Sequence, residues 1–355
     1  MKKLKSVPVK YLLVFIFSIT FFYSCSEDPV TSDPVDPKYI FDTARFDWKI
    51  DTIQNVFSPI SLSSIDTNDI YILDSYRTLN HYNGSDFERT YLPFEVLGLT
   101  VKAYVDKLFI GGIYLISSDY FQPALLVKEG NSFTEIEIPD SNQQYAIFSI
   151  ERTNDNVLWL GTQNGRLIKY ESGLFTYFGF DSSYFVRVHK DKNENVFAVN
   201  SIIMYDSIGN NGKMYLEIYK YESESFKKLY SKFFENIDDN TFTVSIVDGE
   251  IYARNWFGIY KFSGNDFTKI IDFPDIAKSL DFSGSSNNDI LIEGVFLPFE
   301  GKTNLFHWDG FKWSNELEIF IGGGYGISEK LRENYIFVSQ NDPYETFLVI
   351  GSPKN

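Results

Sequence analysis

A polar turn that feeds a short apolar run recurs along this chain. The recurrence limits the fold more than any single motif does. The copies read DTNDIYIL (66–73), VDKLFIGG (105–112), TNDNVLWLG (153–161), DKNENVFAV (191–199), VDGEIYAR (247–254), SNNDILIE (286–293) and RENYIFVS (332–339). Asp, Asn and Gly tolerate positive φ and hydrogen-bond their own backbone, so each copy predicts a tight hairpin turn. The first apolar residues are Ile70, Leu108, Val157, Val196, Ile251, Ile290 and Tyr335, spaced by 38, 49, 39, 55, 39 and 45 residues.

A second pattern follows each of the first six copies. It is an aromatic or basic residue, a turn with Gly or Ser, then an aromatic: HYNGSDF (81–87), VKEGNSF (127–133), KYESGLF (169–175), KYESESF (220–226), KFSGNDF (261–267) and HWDGFKW (307–313). The seventh copy stops at the turn, as FLVIGSPKN (347–355). Each unit of about 44 residues therefore predicts four short strands, a to d. The first pattern is the a–b turn and the second is the c–d turn. The expected fold is all-β, a seven-bladed β-propeller of four-stranded blades over residues 38–355. The missing d strand has a source in KYIFDTARFDWKI (38–50), where Phe46, Trp48 and Ile50 alternate as in a half-buried strand. Pairing beside the strand ending near Ile350 would close the ring and remove two free sheet edges.

Within this frame NVLWLGTQNGRLIKY (156–170) resembles the core of the two-component-regulator propeller repeat, IWIGT-x-NGL-x-(K/R)Y. The other six units match it in outline. The resemblance implies a recognition propeller of the kind found in periplasmic sensor domains.

The N-terminus reads as a targeting segment. Lys2, Lys3, Lys5 and Lys10 precede an apolar run of 13 residues, Tyr11 to Tyr23, too short to span a bilayer. Ser24 directly before Cys25, the chain's one cysteine, resembles a bacterial lipobox. Residues 1–24 are thus expected to be a lipoprotein signal peptide, with Cys25 as the lipidation site. Residues 25–37, with three prolines and four acids, read as a flexible tether. Acidic residues after the lipidated cysteine suit an outer-membrane lipoprotein, at the cell surface or the periplasmic face. A lone cysteine leaves no intramolecular disulfide and no cysteine-based metal site.

Without residues 1–24 the chain holds 28 basic and 48 acidic residues, a net of −20. Such a surface repels nucleic acid. Insertions fall in three b–c connections, residues 111–124, 200–214 and 293–304, which crowd one face of the predicted disc. Insertions in repeat proteins tend to map to the binding face. Tyr114, Tyr120, Phe121, Tyr205, Phe296 and Phe299 read as exposed there. The shorter connections add Gln163, Asn164 and Arg166 in blade three, and Arg254, Asn255, Trp256 and Phe257 in blade five. Aromatic faces beside amide and guanidinium groups suit stacking on sugars or gripping a protein.

No catalytic constellation stands out. His81 and His307 occupy the same repeat position and read as structural, and His189 sits by an a–b turn. No metal site and no cofactor is expected. The leading expectation is a non-enzymatic binding module for a polysaccharide, an oligosaccharide or an envelope protein. A carbohydrate-active enzyme with two channel carboxylates and an arginine or tyrosine is the second, favoured if Asp or Glu cluster with Arg on inner strands. A scaffold with a broad apolar patch is the third.

Overall fold

The computed structural model describes residues 44–354 apart from 55, 94, 118–119, 131, 140–143, 155, 181–184, 206–211, 235–242, 248, 256–257, 273–276, 287, 297–301, 321–325, 332 and 343–344. The proposed signal peptide, the tether and Cys25 lie outside these residues. Every regular element among them is a strand.

Blade one is β2 (Pro59–Asp66), β3 (Asp69–Asp74), β4 (Thr78–Tyr82) and β5 (Phe87–Tyr91). Blade two is β6 (Val96–Ala103), β7 (Leu108–Ser117), β8 (Tyr120–Glu129) and β9 (Ser132–Glu135). Blade three is β10 (Ile147–Arg152), β11 (Leu158–Thr162), β12 (Arg166–Glu171) and β13 (Leu174–Gly179). Blade four is β14 (Phe185–Lys190), β15 (Val196–Tyr205), β16 (Gly212–Glu222) and β17 (Ser225–Phe234). Blade five is β18 (Thr243–Val247), β19 (Glu250–Asn255), β20 (Gly258–Phe262) and β21 (Phe267–Asp272). Blade six is β22 (Ala277–Ser286), β23 (Asp289–Phe296), β24 (Lys302–Trp308) and β25 (Trp313–Phe320). Blade seven is β26 (Gly326–Leu331), β27 (Asn334–Asp342), β28 (Glu345–Pro353) and, from the other end of the chain, β1 (Phe46–Gln54).

The chain is therefore a seven-bladed β-propeller, and every predicted a–b and c–d turn falls where the repeat placed it. The second pattern has a packing reason. Its two aromatics are cross-strand partners: Tyr82–Phe87, Tyr170–Phe175, Tyr221–Phe226, Phe262–Phe267 and Trp308–Trp313 have ring centroids 4.7–5.4 Å apart. Such pairs stabilise a sheet by roughly 0.2–1 kcal/mol each. The apolar core is divided accordingly, one cluster per blade interface and a second, smaller one between blades two and three. Trp159, Leu167, Val186 and Tyr219 fill the seam between blades three and four, for example.

The innermost strands lie side by side around the axis, and each presents an edge to it. Serines on one blade satisfy edge N–H groups on the next. Val101 N donates to Ser61 Oγ at 3.0 Å, Ala103 N to Ser63 Oγ at 3.0 Å and Val188 N to Ser149 Oγ at 2.8 Å. Unpaired edge groups would otherwise carry a desolvation cost. Gly161, the glycine of the motif in blade three, belongs to the same contact. A Cβ there would overlap Ser149 Oγ and the Val186 carbonyl oxygen.

Ring closure occurs as the alternation of residues 38–50 predicts, but over Phe46–Gln54. Phe46 faces Pro353, Trp48 faces Gly351 and Gln54 faces Glu345. Ile50 differs from expectation, being 46% exposed. Even-numbered positions of β1 face blade six, where Phe46 is buried, and odd ones face blade one, where Ile53 is buried. Ile50 lies past the part that blade six covers.

Candidate functional site

Along the innermost strands one face is apolar and packed between blades, as with Val101, Ala103, Ile150, Val186 and Val188. The alternate face carries Lys102 (β6), Glu151 (β10), and Arg187 and His189 (β14), while Glu329 (β26) stands on the same side of its strand as Ile327 and Leu331, against blade one. Lys102 Nζ lies 3.0 Å from Glu151 Oε1, and Ser64 Oγ donates to Glu329 Oε2 at 2.7 Å. Lys102 also feels Glu329, although blade one stands between them, and Glu329 feels Glu151. His189 feels Lys102 two blades away. Interactions between blades that are not neighbours cross the axial channel, so these groups line it.

Lys102 keeps 30% of its side-chain surface accessible while protein surrounds it, as expected inside a narrow wet channel. Glu151, ahead of Glu329, holds its ammonium above the ordinary lysine range despite the cost of burial. Burial raises the Glu329 carboxyl, and Lys102 and Ser64 oppose this in part. His189 is pushed down to about 3 by burial, then by Arg187 and Lys102. It is neutral in the folded protein, and its Nε2 is buried without a hydrogen-bond partner.

Sequence reasoning missed this cluster. Its members stand on different blades and read singly as the polar half of an alternating strand. The other two histidines fit the structural reading. His81 Nε2 lies 2.7 Å from Asp69 Oδ1 and His307 Nε2 lies 2.8 Å from Asp289 Oδ1, the same pair in two blades.

Among the described residues, the b–c insertions lengthen strands. In blade two the alternation continues, so residues 111–124 extend β7 and β8 into a raised hairpin. In blade four the insertion likewise lengthens β15 and β16, and in blade six β23 and β24. Tyr114 is half-buried against the core between blades one and two, with burial and a bond to Glu135 raising its hydroxyl. Phe121 is 8% exposed and packs with Ile113 and Ala146. These two rings face the core rather than solvent. Tyr120 is half-buried and its hydroxyl accepts from Gln122 Nε2 at 3.2 Å. Gln163, Asn164 and Arg166 form the b–c turn of blade three, where Thr162 Oγ1 lies 2.7 Å from Asn164 Oδ1 and 2.8 Å from the Arg166 carbonyl. Arg254 is half-buried at the end of β19, and buried Asn255 donates through Nδ2 to Tyr260 OH at 3.2 Å. Trp256, Phe257 and Phe299 lie outside the described residues, as do the side chains of Tyr205 and Phe296, which end β15 and β23.

The same face carries an apolar surface that the sequence reading did not single out. Tyr76 is 65% exposed, Tyr91 70%, Leu115 46% and Ile116 56%. Three segments bring them together on blades one and two. Leu92 N donates to the Arg77 carbonyl at 2.9 Å and Leu115 N to the Glu95 carbonyl at 2.8 Å. The Tyr76 turn is fixed from below by the buried Asp74 carboxylate, which accepts from Tyr76 N and Thr78 N at 3.0 Å each. Asn80 Nδ2 lies 3.4 Å from its other oxygen. The clamp holds Arg77 at φ 63°, a left-handed conformation unusual for its type. Tyr76 rests on Phe57, centroids 4.6 Å apart. The turn is preorganised to display Tyr76.

Comparison with known proteins bears on the fold. No known family model matches the chain. No curated protein matches it. Among solved structures it is similar to YCF48 bound to D1 peptide, with a TM-score of 0.62 at 13% identity over 89% of this chain and 100% of that one. The WD40 β-propeller domain of Doa1 aligns with a TM-score of 0.54 at 10% identity, over 87% of this chain and 98% of that one. BBS1N in complex with ARL6DN aligns with a TM-score of 0.59 at 8% identity, over 88% and 98%. At such identities the likeness concerns the fold alone.

Proposed function

We propose that this chain is a recognition propeller that docks a partner protein on the rim of blades one and two, tethered by lipid at Cys25 to the outer membrane. The carrying observation is that Tyr76, Tyr91, Leu115 and Ile116 are all exposed on hydrogen-bonded segments of this rim, beside the held Arg77. Exposed apolar patches rimmed by polar groups mark protein contacts, and Tyr and Arg are the residues that carry binding energy at them. Two of the similar propellers, the YCF48 and BBS1N structures, are described with a peptide or protein bound. The likeness of blade three to sensor-type repeats supports the same reading. A photo-crosslinking residue placed at Tyr76 or Ile116 should give a discrete adduct in intact cells. The same residue at Phe311, 88% exposed on the opposite face, should give none. Equal labelling at both positions would remove the docking surface. Cys25→Ser should move the chain from the membrane to the soluble fraction, and unchanged membrane association would remove the anchor.

A second reading rests on the channel. Glu151 and Glu329 share it, and Glu329 is biased toward its protonated form while Glu151 is paired with Lys102. Environments that separate two carboxyls are how glycosidases divide acid from base. New reducing ends released from a polysaccharide panel, and lost in Glu329→Gln, would establish it. Release that survives the substitution would not.

A further inference from the structure

Blade two rises above blade one on the docking rim. β7 and β8 continue past β6, whose pairing with β7 ends at Tyr114. Directly paired residues share a side of the sheet, as do residues two apart on one strand. Tyr114 packs on the core between blades one and two, so its partner Gln122 also faces blade one. Tyr120 joins them, its hydroxyl accepting from Gln122 Nε2 at 3.2 Å. Leu126 lies lower on the same side, and its partner across the sheet is Glu135. Glu95 enters from the link between the two blades, where its carbonyl accepts from Leu115 N at 2.8 Å. Both acids reach one tyrosine. Burial raises the Tyr114 hydroxyl, then its bond to Glu135, then the charges of Glu135 and Glu95.

These carboxylates differ from most others in the chain. Glu129, Glu171, Glu222 and Glu250 each stand within reach of a lysine. Among the described residues, Glu95, Glu135 and the neighbouring Glu137 form no ion pair, and all three are exposed. The arginines of blade one do not neutralise them. Arg89 donates to Asn80 Oδ1 at 3.1 Å and to the Gln54 carbonyl at 2.9 Å, and Arg77 is half-buried and held elsewhere. Water screens unpaired acids of this kind while the rim is open. A segment laid on Tyr76, Leu115 and Ile116 would strip that water. Buried carboxylates without a counter-charge are costly, so the segment must supply a cation. Tyrosine faces and carboxylates are together the groups that hold one. The net charge of −16 draws a basic partner in and repels an acidic one, including a second copy of this chain.

We propose that the partner segment docked on this rim is basic, with a lysine or arginine seated at Glu95 and Glu135 beside Tyr114. The inference rests on the docking reading above. The test uses the purified full-length chain and three fluorescein-labelled peptides. They share the same leucines and differ only in carrying lysine, glutamate or glutamine between them. Anisotropy should show the lysine peptide preferred by at least about tenfold, with affinity falling by a similar factor between about 0.05 and 0.3 M salt. Glu95→Lys with Glu135→Lys should abolish the preference. The same reversal at Glu88 and Glu224, exposed but away from the rim, should leave it, which separates seating here from general attraction to an acidic chain. No preference for lysine, a preference that survives the rim reversal, or an equal loss in both double variants would overturn the proposal. Crosslinking from Ile116 in cells reads the docking surface separately. An adduct that persists after the rim reversal removes the basic partner and leaves the docking surface, whereas no adduct in the unaltered chain removes both.

Discussion

Blade three takes its strands from one run of chain, Ile147–Gly179, whereas blade seven joins Gly326–Pro353 to Phe46–Gln54 from the other end. In blade three a tight turn with Ser172 at φ 51° and Gly173 at φ 85° delivers the outer strand, so connectivity sets its register. In blade seven side chains must do so. The Glu316 carboxylate accepts from Arg45 N at 2.7 Å and Phe46 N at 3.0 Å. Arg45 pairs with Asp309, and Lys354 N donates to the Arg45 carbonyl at 2.9 Å. The aromatic pair of five other blades becomes Gly351 and Trp48, and the indole lies where a side chain at 351 would be. A strand borrowed from a distant segment thus depends on specific contacts that a continuous blade does not need.

The largest expected effect follows directly. Deleting residues 44–54 leaves blade seven with three strands and opens the ring. Calorimetry should show the single cooperative transition lost or broadened. Inserting a short flexible loop between Ser172 and Gly173 leaves blade three intact and should cost less than about 1 kcal/mol, because closure entropy grows slowly with loop length. Similar losses from both changes would mean that connectivity matters no more in one blade than in the other.

The next pair of changes separates side chain from backbone. Gly161→Ala should destabilise by roughly 1–3 kcal/mol, as overpacking does. Gly351→Ala should cost a similar amount, because the Trp48 ring occupies the space. The two differ in rescue. Trp48→Leu should relieve Gly351→Ala, giving a double variant more stable than the two single losses predict. Ser149→Ala should not relieve Gly161→Ala, because the Val186 carbonyl remains. Urea midpoints of the two cycles decide it.

The turns that build all seven blades were legible because Asp, Asn and Gly are required locally wherever strands reverse so tightly. Ring closure was legible from the alternation of Phe46 and Trp48. What escaped depends on neighbours distant in sequence. Lys102, Glu151 and Glu329 become one cluster only when three blades face a common axis. The exposure of Tyr76 depends on the Asp74 clamp beneath it, and Asp74 reads as an ordinary turn acid. Tyr114 and Phe121 read as a loop because the hairpin they lengthen has no counterpart in shorter blades.

A smaller effect belongs to Glu316. A bulge between Leu305 and Phe306 partners turns this residue out of the β25 ladder, as the same position does for Leu229 in blade four and Ile270 in blade five. Bulges re-aim side chains, and here the one in blade six supplies the anion that holds blade seven. Glu316→Gln keeps one acceptor and loses the charge, at a cost of roughly 1–2 kcal/mol. Leu229→Ala, at the same position but away from the seam, should leave hydrogen exchange of Phe46–Gln54 unchanged, whereas Glu316→Gln should speed it. Equal protection of these amides in both variants would show that the carboxylate does not hold the strand.

A further comparison sorts the two sides of the channel by pH. His189 faces it from blade four, next to blade three, and Glu329 faces it from blade seven. An unfolded histidine takes a proton as pH falls through about 6.5, whereas His189 in the folded chain does so only near 3. The unfolded state therefore binds more protons in that window. The stability associated with His189 is complete above it and declines as pH falls, by at most about 1.4 kcal/mol per pH unit. His189→Gln should flatten this acid limb. Glu329 works with the opposite sign. Its raised pKa means that the folded chain keeps a proton the unfolded chain releases, so its contribution is lost as pH rises through the folded value. Glu329→Gln should leave the acid limb from His189 in place and gain stability toward neutral pH. Across the window the pH slope of the urea midpoint would then fall in the His189 variant and rise in the Glu329 variant. If both variants flattened the same limb, the two groups would not titrate as separate sides of one channel.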